Sequence, residues 1–157
     1  MSLERKRYST DNCSIARTLE VVGEKWTLLI LRESFYGLRR FDELQSAVGC
    51  ARNLLSARLA KLVDEGLLER RPYREPGSRE RYEYALSEKG LDLFPTLVAL
   101  LQWGDRWKVD PEGPSVEVRH RDCGERMHAV LKCDAGHEHL TARDAYPEPG
   151  PGAKLAA

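Results

Sequence analysis

The chain has 157 residues, 41% hydrophobic and 32% charged, enough for one full domain with its own core and a modest appendage. No apolar run approaches the roughly 18 residues that cross a bilayer, and the opening "MSLERKRYST" has no apolar stretch behind its charges, so neither membrane contact nor export is expected. Four cysteines without an export signal point to a reducing cytoplasm, where thiols serve metals or redox chemistry more often than structural bridges. Formal net charge is zero, yet residues 70–81 hold Arg70, Arg71, Arg74, Arg79 and Arg81 against Glu75 and Glu80 alone. A binding face needs only local charge, so a neutral total does not exclude nucleic acid.

In chain order, "CSIARTLEVVG" places Ile15, Leu19 and Val22 on one side of a helix that stops at Gly23. "EKWTLLILRESFYG" predicts a largely buried second helix closed by Gly37. "RRFDELQSAVG" predicts a short third helix carrying Phe41, Leu44 and Val48. "ARNLLSARLAKLVDEG" predicts a fourth, with Leu55, Leu59, Leu62 and Val63 inward and Gly66 as its stop. The period then changes. Two short extended runs flank "REPGSRE", whose Pro-Gly pair signals a turn, and Tyr82, Tyr84 and Leu86 alternate as one buried strand face would. This predicts a β-hairpin with a basic, exposed tip.

Ser87 and Glu88 then cap a long helix through "KGLDLFPTLVALLQWGDRW", with Pro95 either kinking it or marking its real start. Its apolar face is too large for a lone monomer. "VDPEGPS" reads as a linker, dividing the chain into 1–109 and 110–157. Beyond it, strand-like runs at "SVEVRH" and "RMHAVLKC" precede "LTARDAYPEPGPGAKLAA", which is expected to fray.

Helix, short turn, helix, then basic hairpin is the order of a winged helix-turn-helix, an α+β fold in which the second helix of the pair enters the major groove. With the leucines of the fourth helix fixed inward, Asn53, Ala57 and Ala60 fall on the opposite side. Arg52 in the first turn, Ser56 on the flank and Arg58 on the other edge complete a reading surface. Asn53 can pair with adenine, and Arg52 with guanine or phosphate. Arg74, Arg79 and Arg81 on the hairpin would follow a phosphate run or enter the minor groove, and Arg39 and Arg40 either touch backbone at a helix N-terminus or are simply solvated.

From Cys13 to about Trp107 the chain resembles the HxlR-type winged-helix transcriptional regulators. The matching stretches are "CSIARTLEVVGEKWTLLILRESFYGLRRFDEL", "NLLSARLAKLVDEGLLER", "RYEYALSEKG" and "LVALLQWG", about two thirds of the chain. The resemblance implies a homodimeric bacterial regulator, a repressor of genes behind a palindromic double-stranded operator, whose first and last helices build the dimer. It implies no enzymatic activity and no cofactor, and leaves room for a small-molecule effector. This chain departs from the family where Ser then Pro commonly open the recognition helix: Ala51 and Arg52 stand there, removing a side-chain cap and adding a charge.

Cys13 lies just before the first helix, where the family places a cysteine that in some relatives senses oxidants or electrophiles. A helix N-terminus favours thiolate, and Arg17 one turn on would add to it; the plainer reading is a small residue at a dimer interface. Cys50 reads as packing.

The stretch "HRDCGERMHAVLKCDAGHEH" gathers all four histidines, with His120 and Cys123 spaced as one ligand pair and Cys133 with His137 or His139 as another. Tail-bearing members of the family it resembles carry a ribbon with a second Cys-x-x-Cys, and Gly136 stands where that motif's last cysteine would be. The resemblance therefore implies a degenerate zinc ribbon, read as without bound metal, on a small β-rich tail. A metal-dependent enzyme is excluded in this reading because Glu125 and Glu138 sit in ordinary polar company, with no nucleophile or oxyanion device nearby. The alternative to a DNA-binding regulator is a winged-helix module whose basic hairpin meets an acidic protein.

Overall fold

The computed structural model describes residues 4–156; the first three residues of the opening segment lie outside the described residues. The elements run α1 (Ser14–Val22), α2 (Lys25–Phe35), α3 (Phe41–Val48), α4 (Arg52–Asp64), β1 (Leu68–Tyr73), β2 (Arg81–Leu86), α5 (Glu88–Leu91) and α6 (Phe94–Trp107), preceded by a short 3-10 turn at Arg5–Arg7. The backbone gathers into two compact units: residues 18–101, and residues 4–17 with 102–156.

In residues 18–101, Ile30 and Leu31 of α2, Leu44 of α3, and Leu55, Leu59 and Leu62 of α4 are fully buried, with Val22, Val48, Cys50, Leu67 and Leu68 closing around them. Each large side chain removed from water contributes about 1.5–3 kcal/mol, which makes this cluster the main stabilising feature of the unit. The helix ends follow from local chemistry. Glu24 accepts from the backbone N–H groups of Trp26 and Thr27 at 3.1 and 3.3 Å, capping α2. The Glu43 carboxylate accepts from the Arg40 N–H at 3.2 Å at the start of α3. Ala51 offers α4 no side-chain cap, as its sequence implies.

β1 and β2 form an antiparallel hairpin in register from Leu68 opposite Leu86 to Tyr73 opposite Arg81. Its tip is a turn with Pro76 second and Gly77 third at φ +77°, closed by the Ser78 N–H donating to the Glu75 carbonyl. Those are the residues a type II turn requires. Tyr82, expected on a buried strand face, is 39% exposed, while Ala85 on the other face is buried. Only the base of the hairpin is covered by helices.

The long helix after Ser87 is two helices. The Ser87 hydroxyl accepts from the Gly90 N–H at 3.1 Å and donates to the Gly66 carbonyl at 2.5 Å, which fixes α5 against the start of β1. Gly90 is buried there, and a Cβ on it would stand 2.2 Å from the Leu67 carbonyl oxygen. α6 then begins at Phe94, with Pro95 in its first turn where a missing N–H costs nothing. Phe35 and Phe94 pack their rings at 5.2 Å.

In the other unit, the extended runs of the tail pair through single bridges, Arg119 with Arg126 and Lys132 with Glu138, around turns that place Gly124 and Gly136 at φ +74° and +88°. The C-terminal segment does not fray. Tyr8 bridges Leu155, the Ser9 N–H donates to the Lys154 carbonyl, the Ala156 N–H donates to the Arg7 carbonyl, and the Asn12 side chain donates to the Gly152 carbonyl. Turns in its Pro/Gly-rich stretch let the chain end lie along the N-terminal arm, where backbone groups that looked unpaired find partners.

Candidate nucleic-acid interface

α3, the turn at Gly49 to Ala51, and α4 form a helix-turn-helix, with Gly49 in the left-handed region at φ +75° closing α3. Since α4 turns Leu55, Leu59 and Leu62 into the core, geometry forces Arg52, Asn53, Ser56, Ala57 and Ala60 outward, and all five are exposed. Arg58 behaves differently. Its Nε stands 3.1 Å from Glu24 Oε2, an ion pair so far off-line that the buried N–H has no hydrogen-bond partner among the described residues. This arginine faces the capped end of α2, and its side chain is only 28% exposed.

The hairpin stands on the same unit as α4. Residues 39–40 run beside β2 through a single bridge: Arg40 pairs with Glu83 and the Tyr84 N–H donates to the Arg39 carbonyl at 2.8 Å. The Arg40 guanidinium lies 4.7 Å over the Tyr73 ring and donates to Glu75 at 2.7 Å. Partial desolvation opposes its charge, but Tyr73, Glu75 and Glu43 more than offset that and raise its pKa. Arg74 donates to the Ser78 carbonyl at 3.0 Å, bracing the turn. Arg71 is paired with Glu69, and Arg70 stacks on Tyr82 at 3.6 Å. Among the described residues Arg39, Arg79 and Arg81 have no side-chain hydrogen bond or ion pair, so their donors are available to an outside anion.

Arg52 is available yet restrained. It lies 4.6 Å over the Phe41 ring and donates through Nη1 to Asp42 Oδ1 and Gln45 Oε1, each at 3.2 Å. Sequence reading did not single out Phe41, Asp42, Gln45, Tyr73 or Glu75 as supports of the arginines. The one available signal was an acid or aromatic residue close to each arginine in an otherwise basic stretch.

Cys13 precedes α1, its carbonyl accepting the Arg17 N–H and its own N–H donating to the Thr10 carbonyl, both at 3.0 Å. In the tail, His120 Nδ1 is 3.2 Å from Cys123 Sγ, and His137 Nδ1 is 3.2 Å from Cys133 Sγ. Neither pair joins the other: among the described residues no group of three or more His, Cys, Asp or Glu side chains is placed to hold a metal ion. His139, the other candidate partner of Cys133, has φ +58°, and among the described residues no hydrogen bond joins it to Cys133. No described helix is long and apolar enough to cross a membrane.

Comparison with known proteins agrees with this geometry. The profile of the HxlR-like helix-turn-helix family matches residues 21–112. The HTH-type transcriptional regulator Rv3095 of Mycobacterium tuberculosis is 51% identical over 146 residues, spanning 92% of this chain and 91% of its own. Among solved structures, the transcription factor PA1607 superposes with a TM-score of 0.77 at 38% identity, covering 88% of this chain and 95% of its own. The reduced form of the redox regulator HypR superposes with a TM-score of 0.53 at 27% identity over 59% of this chain and 90% of its own.

Proposed function

Because this chain belongs to the HxlR-like helix-turn-helix family of transcriptional regulators, we propose that it is a homodimeric repressor that binds a palindromic double-stranded operator. The observation that carries this reading is one unit presenting two kinds of surface: an exposed α4 face of Arg52, Asn53, Ser56 and two alanines, and a hairpin whose Arg79 and Arg81 are unpaired. α4 enters the major groove, where the small Ala57 and Ala60 allow close approach. Arg39, Arg79 and Arg81 neutralise phosphates; Arg40 and Arg74 serve first to hold the wing in shape; Arg58 acts through α2.

Dimerisation is supported by two helix faces that leave apolar residues in water. Ile15 and Leu19 of α1 and Leu100, Trp103 and Trp107 of α6 follow helical spacing and are 51–71% exposed. Two copies would set two α4 helices about one helical turn apart on DNA. A cytoplasmic location, a wing-bearing region ending near residue 109, and a small-molecule effector belong to the same reading.

Gel shifts on DNA upstream of the chain's own gene, across a salt series, test it. Binding steep in salt is expected, with Arg79→Ala lowering the slope of log K against log salt by about 0.9. Salt-independent binding, or none, returns the wing to the alternative of a protein-binding module. Sedimentation should give a dimer, lost in Trp103→Glu.

A second reading has an observation of its own. Cys13 sits at the N-terminal end of α1, and the fold is shared with a redox regulator, so oxidation of this thiol is proposed to release DNA. Cys13→Ser should abolish any oxidant-induced loss of binding; an unchanged response rules this out.

A further inference from the structure

The arginines on the DNA-facing side of this unit divide into two kinds. Among the described residues Arg39, Arg79 and Arg81 carry their charge unpaired, as suits a group that follows phosphates. Arg52 is instead neutralised by Asp42 and held over Phe41, although an acid on this face is repelled by phosphate. The pairing makes little sense for a phosphate contact. It suits a base contact, where direction matters more than charge.

The atoms used support this. Asp42 and Gln45 both accept from Nη1, while Nε and Nη2 have no partner among the described residues. Those two groups lie on one edge of the planar guanidinium, and their parallel N–H bonds match the O6 and N7 acceptors of guanine in the major groove. Arg52 is also the first residue of α4, and the first turn of a recognition helix is the part nearest base edges. A fork already fixed on two acceptors and a ring loses less rotational freedom on binding than a loose side chain does.

We propose that Arg52 reads a guanine in each operator half-site, and that Asp42 and Gln45, with the Phe41 ring, are positioning residues that aim its Nε–Nη2 edge. This rests on the DNA-binding reading and gives it a specificity determinant.

Selection from randomised duplexes, followed by titration on the selected site, tests it. Wild type should select a site with one fixed guanine per half. Replacing that guanine by 7-deazaguanine, which lacks the N7 acceptor, should weaken wild type about tenfold or more and leave Arg52→Ala unaffected. Arg52→Lys, which keeps charge but not the fork, should lose the preference while still binding DNA. Asp42→Ala should relax selection at that one position several-fold with melting temperature unchanged, since both side chains are exposed. Overturning results are distinct. If Arg52→Ala weakens all duplexes equally and lowers the salt slope by about one, Arg52 is a phosphate contact. If Asp42→Ala keeps full preference for guanine, the positioning role falls. If wild type selects no common sequence, the DNA-reading proposal itself fails.

Discussion

Residues 18–101 and the tail from 102 onward use glycine turns equally freely, but only the first has an interior. Six apolar side chains from α2, α3 and α4 are completely removed from water, whereas no described residue from 102 to 156 is classed as buried. The tail is held by backbone pairing, tight turns and surface ion pairs such as Glu117 with Arg119 and Arg126. Exposed pairs of this kind contribute at most about 1 kcal/mol each. The contrast teaches that local turn chemistry can specify a shape that apolar burial does little to stabilise. A core fixes the positions of groups far apart in sequence, which a reading surface needs.

The largest effect that could break this comparison is in the core. Leu59→Ala should lower unfolding free energy by about 2–5 kcal/mol in denaturant titration, while Leu131→Ala, at a tail position 64% exposed, should stay within about 0.5 kcal/mol. Equal losses would mean the tail is also built on burial. Next comes Gly90→Ala, which drives a methyl group against the Leu67 carbonyl and should cost about 1–3 kcal/mol. A smaller loss, about 1 kcal/mol, is expected for Ser87→Ala, which removes the cap of α5. Both are read in the same titration.

The smallest effect lies in the tail and depends on pH. The Thr141 hydroxyl and backbone N–H both donate to Asp144, and these bonds hold its carboxyl below the ordinary range. A depressed folded pKa means the turn gains from ionisation above the unfolded value, about 3.9, and loses that gain as pH falls through the folded one. The protection factor at the Thr141 amide, its exchange rate relative to the unfolded chain at the same pH, should therefore be steady near neutrality and fall specifically below about pH 4. Protection that is lost between pH 5 and 7 would point to another group.

Much of the helical unit was legible because its signals are local. The leucine period of α4, the glycine stops and the Pro76-Gly77 turn each act within a few residues. Arg58 shows where this ends: its position on the helix was readable, but its partner Glu24 lies 34 residues earlier and depends on how α2 packs against α4. The restraint on Arg52 has the same origin, since Asp42 and Gln45 reach it only through the angle between α3 and α4. The break between α5 and α6 had a local marker in Pro95, which allowed a kink or a start; the anchoring of Ser87 and Gly90 against the Gly66–Leu67 backbone decides for a start. Pairing of residues 7–9 with 154–156 leaves no local trace, because backbone groups carry no sequence signature.

The backbone at residues 39–40, bridged to β2 and tied to the wing turn through Arg40 and Glu75, clamps the hairpin to the segment that opens α3, something like the pinned arm of a caliper. One jaw is the helix-turn-helix of α3 and α4, the other is the hairpin, and backbone hydrogen bonds pin the start of α3 to β2. The gap is therefore a fixed length. If the proposed duplex is held by both jaws, it must present its groove edge and its flanking phosphates at that interval, so one inserted base pair should cost a jaw its hold even when every read base is intact.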